Sequence, residues 1–310
     1  MKEKILVCFT GGTIQSHIKD GSIQVTEEPN YLLLDMYKGC NARRDIDFDI
    51  ISPTNILSEF ATIEDWMEIA ESIKKKDVSQ YKGIIMTYGT DTLGYFANVI
   101  SYLLNDIDIP VMIVADNFIL SDKRSTGLAN FVTAVDFVVS KSYKGVFVPF
   151  TNSTGELYIH RGTRIKQLSQ LSDSAFSIRH DHFAQVINGE IVERREHIPH
   201  ITKDKADYKL SNEILYLKPV IGKRYGTIDL NGYRAVYFES FHTNAVPREA
   251  TEVALQCKEK GILFFIGAMR TDAREFYEGT ADAVKAGAIF IKDMSHEAIY
   301  GKLMVALRDV

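Results

Sequence analysis

Two adjacent glycines set between threonines, Thr10-Gly11-Gly12-Thr13, cut off the first apolar run of the chain, Ile5-Leu6-Val7-Cys8-Phe9, and nothing else in the sequence restricts the fold as tightly. Five consecutive apolar residues after a charged start read as a strand buried on both faces, the pattern of a parallel sheet covered by helices. The glycines let the backbone turn sharply and come close to another chain segment or a ligand. Two hydroxyls, on Thr10 and Thr13, are thereby placed at the C-terminal end of a strand, where open α/β sheets bind ligands. A threonine hydroxyl attacks poorly unless a base or proton relay stands beside it. By itself the run also fits a plain tight turn with threonines bonding locally. A second polar cluster at another strand end is needed to decide between the two.

Strand and helix signals alternate from residue 4 to 150. Thr62-Ile63-Glu64-Asp65 reads as a capped helix start, and Ile63, Trp66, Ile69, Ala70 and Ile73 recur at helical spacing, with Trp66 in the core. Gly83 to Thr87 and Val111 to Val114 read as buried strands, and Leu93 to Leu104 and Gly127 to Ser140 as helices. Val146 to Phe150 is strand-like, and its Pro149 predicts an edge or a strand end. The fold class is α/β: a larger N-terminal, mostly parallel sheet domain with flanking helices, and a smaller C-terminal α/β domain. The expected boundaries are 1–185 for the first domain, 186–215 for a polar, charge-rich linker, and 216–310 for the second. The polar stretch from Gln15 to Asn30, with a turn at Lys19-Asp20-Gly21-Ser22, is long enough for an active-site lid.

The second cluster is Gly89-Thr90-Asp91-Thr92, which follows the buried strand ending at Thr87 and precedes a helix. Asp91 alone would be a plain helix cap. Two hydroxyl-rich glycine turns at the ends of two parallel strands can instead face one another across a crevice. One then supplies a nucleophilic hydroxyl, and the other a hydroxyl and a carboxylate for binding an amine or relaying a proton.

Bulk properties narrow the function classes. The net charge of -5 over 310 residues does not fit a broad nucleic-acid footprint. Cys8, Cys40 and Cys257 are odd in number and scattered, which suits a reducing compartment and neither a disulfide framework nor a zinc site. No run approaches the roughly 20 apolar residues of a membrane helix, and the N-terminal run is too short for a signal peptide. A cytoplasmic enzyme or binding protein without cofactor, nucleic acid or membrane is the expectation. His180-Asp181-His182 and His197 with His200 hint at metal, but without helical context or a third ligand they read as solvated loop residues.

The chain resembles the asparaginase/glutaminase family of threonine-dependent amidohydrolases, nearer its cytoplasmic branch. The resemblance rests on Thr10-Gly11-Gly12-Thr13-Ile14, Ser58-Glu59, Gly89-Thr90-Asp91-Thr92, Arg124-Ser125-Thr126-Gly127 with Asn130, and a C-terminal run of Tyr277, Gly279, Gly287, Glu297, Lys302 and Leu303. It implies a two-domain α/β fold assembled as a homodimer or homotetramer. It implies hydrolysis of the side-chain amide of L-asparagine, or a related amide, through an acyl-enzyme on Thr13. Thr90, Asp91 and a lysine would form a second hydroxyl triad. Gly12, Ser58, Glu59, Gly89, Thr90 and Asp91 would bind the substrate, with Asp91 on its α-ammonium.

Three departures stand against the family pattern. The lid has no tyrosine where the family carries one, and the nearest is Tyr31. Tyr88 replaces the histidine common before Gly89. An ungapped count from His160-Arg161-Gly162-Thr163-Arg164 puts Gln167 at the lysine position and Lys166 one residue early; a local bulge would restore Lys166. The alternatives are therefore a relative with a different amide substrate, or a non-catalytic binder of a small ligand. A plain scaffold protein would have no pocket between the two turns.

Overall fold

The computed structural model describes residues 2–26, 31–40, 45–140, 143–194, 209–269 and 275–307. The chain forms two compact units, Met1–Asp207 and Tyr208–Val310. Along the first lie β1 (Glu3–Cys8), β2 (Ser16–Lys19), β3 (Ser22–Val25), α1 (Leu32–Gly39), β4 (Ile46–Ile51), α2 (Ile63–Lys74), β5 (Gly83–Thr87), α3 (Leu93–Leu103), β6 (Pro110–Val114), α4 (Gly127–Ser140), β7 (Gly145–Thr151), β8 (Leu157–Arg161), β9 (Ala184–Ile187) and β10 (Glu190–Glu193). Along the second lie β11 (Ile214–Leu217), β12 (Ala235–Glu239), α5 (Glu249–Lys260), β13 (Leu263–Met269), α6 (Glu278–Lys285), β14 (Ile289–Lys292) and α7 (His296–Ala306).

The first unit is built on an eight-stranded sheet of order β10-β9-β8-β7-β6-β5-β1-β4. The stretch β4-β1-β5-β6-β7 is parallel, and β8, β9 and β10 continue it antiparallel. Ile5 and Val7 of β1 and Ile85 of β5 share a core with Leu33 and Leu34 of α1 and Phe131 and Val135 of α4. Leu6, Cys8, Ile84 and Met86 project to the other face and are as deeply buried, so helices must cover both sides. The first turn of α2 is held by its cap. Thr62 accepts from the Asp65 amide and Asp65 accepts from the Thr62 amide, a reciprocal capping box.

Two sequence expectations change here. Pro149 lies in an interior strand rather than at an edge. β6 pairs with β7 only over Gly145 to Phe147, so at Pro149 the missing N–H costs that side no ladder bond. The stretch 186–215, expected as a linker, opens with the β9–β10 hairpin at the sheet edge. Its two-residue turn is Asn188-Gly189, with φ of 51° and 82°, the conformation that favours asparagine and glycine in hairpins. Its mixed burial, the pattern of an edge hairpin wet on one face, gave the segment a polar composition. Residues 195–208, which include His197, His200 and most of the Lys203–Lys209 charges, lie outside those described.

The second unit carries a parallel sheet of order β11-β12-β13-β14. Val236, Phe238, Phe264 and Ile266 pack with Val253 and Cys257 of α5 and Ala283 of α6. No helix among the described residues is long and apolar enough to cross a membrane.

Candidate active site

The chain leaves β1, passes to β4 on one side, and returns through α2 to β5 on the other side of β1. β1 and β5 are thus the strands at which the direction of winding reverses, and the crevice beyond their C-terminal ends is the expected ligand site of such a sheet. Thr13 follows β1 and Thr90-Asp91 follows β5, so topology alone brings the two turns side by side.

The contact between them is backbone on backbone. Gly12 has φ 79° and ψ 174°, and a Cβ built there would lie 2.5 Å from the Gly89 nitrogen and 2.6 Å from the Tyr88 carbonyl carbon. A Cβ on Gly89 would lie 2.4 Å from Ser58 Oγ. The three segments expected to form the site, 10–13, 58–59 and 88–92, therefore meet with no space for a side chain at either glycine.

Their positions are fixed by buried hydrogen bonds. The Thr10 hydroxyl donates to the Thr87 carbonyl at 2.5 Å, and the Thr87 hydroxyl accepts from the Thr10 amide at 3.1 Å and donates to Gln15 Oε1 at 2.7 Å. Gln15 Oε1 also accepts from the Gly11 amide at 2.7 Å. The Gly12 amide donates to the Ile56 carbonyl at 2.8 Å. Thr10 is fully buried in this network, whereas Thr13 stays half-exposed, so of the two hydroxyls only Thr13 can meet a ligand. The bonds also spend the Gly11 and Gly12 amides; Gly89 and Thr90 have amides that donate to no described residue.

The peptide joining Thr90 to Asp91 is held at both ends. Its N–H donates to Ser58 Oγ at 3.1 Å, and its carbonyl accepts from Gln167 Nε2 at 2.8 Å. Ser58 is buried, and its own hydroxyl proton has no acceptor among the described residues. The Glu59 and Asp91 carboxylates are exposed and neither forms an ion pair among those residues. Asp91 does not cap α3: the N-cap is Thr92, whose hydroxyl instead donates to the Ser58 carbonyl at 3.0 Å.

The departures resolve as follows. Lys166 makes no side-chain hydrogen bond to Thr90. Its amide pairs with the Phe176 carbonyl and its side chain is exposed, with no hydrogen bond or ion pair among the described residues, while Gln167 occupies the place beside Thr90. Tyr88 turns inward: its hydroxyl accepts from Trp66 Nε1 at 2.8 Å and lies 2.9 Å from Thr92 Oγ1, and its ring stacks on Phe96 at 3.7 Å. Burial pushes its phenol up to about 12. Tyr31 precedes α1 and packs its ring 5.1 Å from that of Phe9. The lid stretch contains the β2–β3 hairpin turning at Asp20-Gly21, and its residues 27–30 lie outside those described.

Two residues missed in the sequence tie the site's surroundings together. Asp116, after β6, accepts from the Ser125 hydroxyl at 2.5 Å and from the Thr126 and Gly127 amides at 2.9 and 2.7 Å. Desolvation raises its carboxyl above the usual range, against the pull of those bonds. Gln15, equally silent in the sequence, knits the two strand ends. Asp181 lies near Arg164 and Arg194, at 3.8 and 3.9 Å, and no group of His, Cys, Asp and Glu among the described residues is arranged to hold a metal.

Residues 4–199 match the family model described as asparaginase, N-terminal. L-asparaginase of Thermococcus kodakarensis is 27% identical across 98% of this chain and 92% of its own length. A glutamyl-tRNA(Gln) amidotransferase subunit from Pyrococcus horikoshii is also 27% identical, across 98% of this chain and 72% of its own. Among solved structures, the thermostable L-asparaginase from Thermococcus kodakarensis superposes with a TM-score of 0.81 at 23% identity, over 99% of this chain and 93% of that one. A probable cytoplasmic L-asparaginase from Campylobacter jejuni gives 0.79 at 21%, over 100% and 96%.

Proposed function

Since the chain belongs to the asparaginase family, we propose that it hydrolyses the side-chain amide of L-asparagine or a closely related amide, with Thr13 as nucleophile. The observation that supports this reading is the backbone contact of Gly12 with Gly89, which joins the turn carrying the half-buried Thr13 to the turn carrying Thr90 and Asp91. Thr13 Oγ attacks the amide carbonyl and its proton passes to the leaving nitrogen. The C–N bond breaks, ammonia departs, and water then cleaves the ester to release the acid and restore the hydroxyl. The uncommitted amides of Gly89 and Thr90 face the developing oxyanion. Asp91 and Glu59 attract the substrate's α-ammonium, and the Ser58 hydroxyl donates to its α-carboxylate. Thr90 and Asp91 relay the proton, with no cofactor. The protein works in the cytoplasm as a homodimer or homotetramer.

The neutral Gln167 beside Thr90 favours a second reading, a site that binds a small amino acid without turning it over. The test is ammonia release from L-asparagine and L-glutamine by the wild type and T13A, with calorimetry for aspartate binding. Turnover lost in T13A with aspartate binding retained supports the first reading. Aspartate binding by a wild type that releases no ammonia supports the second. A T13A rate equal to wild type removes Thr13 from its role.

A further inference from the structure

We infer that Gln167 is a positioning residue that fixes the Thr90–Asp91 peptide and, with the same carboxamide, caps α3; the inference rests on the proposed reading of Thr90 and Asp91. The two jobs fall to the two ends of one group. Nε2 donates to the Thr90 carbonyl at 2.8 Å, and Oε1 accepts from the Gly94 amide at 2.9 Å. The first turn of any helix leaves its amides without intrahelical partners. Here the N-cap residue Thr92 makes no side-chain cap bond, so the acceptor comes from a segment more than seventy residues later.

The approach is built for this purpose. A Cβ on Gly94 would lie 2.5 Å from the Gln167 nitrogen and 2.8 Å from its Cα, so only glycine admits the segment. Asn98, one turn further along α3, donates from Nδ2 to the Gly94 carbonyl at 2.7 Å and to the Ile165 carbonyl at 3.4 Å. Gln167 and Ser58 thereby grip opposite ends of a single peptide unit whose flanking side chains are Thr90 and Asp91. Rotation of that unit would swing both side chains, so its orientation sets where the hydroxyl and the carboxylate stand. The carboxamide donates at one atom and accepts at the other, so it satisfies both bonds at once.

Two substitutions separate the functions. Q167E keeps an acceptor for the Gly94 amide and loses the donor to the Thr90 carbonyl. Q167K keeps a donor and loses the acceptor. Turnover should follow the donor: kcat of Q167E falls roughly 10- to 100-fold, the scale of a small misplacement of reacting groups, while Q167K retains more. KM should move less than kcat in Q167E, because Ser58 still holds the Asp91 amide. Thermal stability should follow the acceptor, with Q167K melting below Q167E. Hydrogen exchange over residues 89–95 should speed up around Asp91 in Q167E and at Gly94 in Q167K. A purely structural residue would couple turnover to melting temperature. Wild-type kcat in Q167E, or equal losses in the two variants that track stability, would overturn the inference. If the wild type releases no ammonia, the amide-cleaving reading fails separately. Exchange then decides for Gln167: wild-type rates around Asp91 in Q167E overturn it, and faster rates there support it.

Discussion

Replacing Gly12 by alanine tests the contact on which the site depends, and Gly21 supplies the control. Both glycines have nearly the same φ, 79° and 77°, but a Cβ at Gly21 meets nothing within 4 Å. At Gly12 the φ/ψ pair lies in a region open essentially to glycine alone, which costs an alanine about 1–3 kcal/mol. The added carbon also starts 2.5 Å from the Gly89 nitrogen, and ordinary contact begins near 3.4 Å, so the two turns must part by 0.9 Å. Overpacking of that kind adds about 1–3 kcal/mol. At roughly 2–4 °C per kcal/mol for a folding unit of this size, G12A should melt about 4–24 °C below wild type. G21A bears only the left-handed backbone term of about 1–2 kcal/mol. A separation near 1 Å between nucleophile and relay should also cost turnover about 100-fold. Differential scanning fluorimetry and an ammonia-release assay read both effects. Indistinguishable melting of G12A and G21A, or wild-type ammonia release by G12A, would refute the reasoning.

Three further outcomes follow from the described bonds. Y88F leaves the buried Trp66 N–H without its acceptor and should lower unfolding free energy by about 1–3 kcal/mol in urea titrations. T62A removes one half of the capping box of α2 and should cost about 0.5–2 kcal/mol, with ammonia release unchanged. His160 is buried with Nδ1 at 2.9 Å from Ser177 Oγ, and desolvation lowers its pKa from 6.5 to about 3. The unfolded chain then binds a proton that the folded one refuses. Stability should therefore fall as pH drops from 6.5 toward 3, by at most about 1.4 kcal/mol per pH unit. Urea unfolding of wild type and H160Q between pH 4 and pH 7 should diverge at the acid end, and parallel curves would remove His160 as the cause.

The parts of this molecule legible in its sequence are those that depend on short range. The buried runs of β1 and β5, the glycine turns after them, and the capped start of α2 announce themselves within a few residues. What escaped depends on partners far along the chain. Nothing beside Gln15 or Asp116 marks either as the buried acceptor that ties a loop together. The choice between Lys166 and Gln167 is made by a glycine in α3, more than seventy positions earlier. The β9–β10 hairpin had a local signal in Asn188-Gly189, but its charged flanks, typical of an edge strand, pointed to a linker instead.

Trp66 is the sole tryptophan of the chain, and its indole N–H ends on Tyr88, the residue directly before the glycine that abuts Gly12. The protein therefore carries its own optical reporter. Excitation at the indole band addresses one fluorophore, shielded from water and bonded through a phenol to Thr92. A ligand that shifts the Thr90–Thr92 turn alters that bond and with it the emission, so occupancy can be followed by fluorescence alone, without label or coupled enzyme.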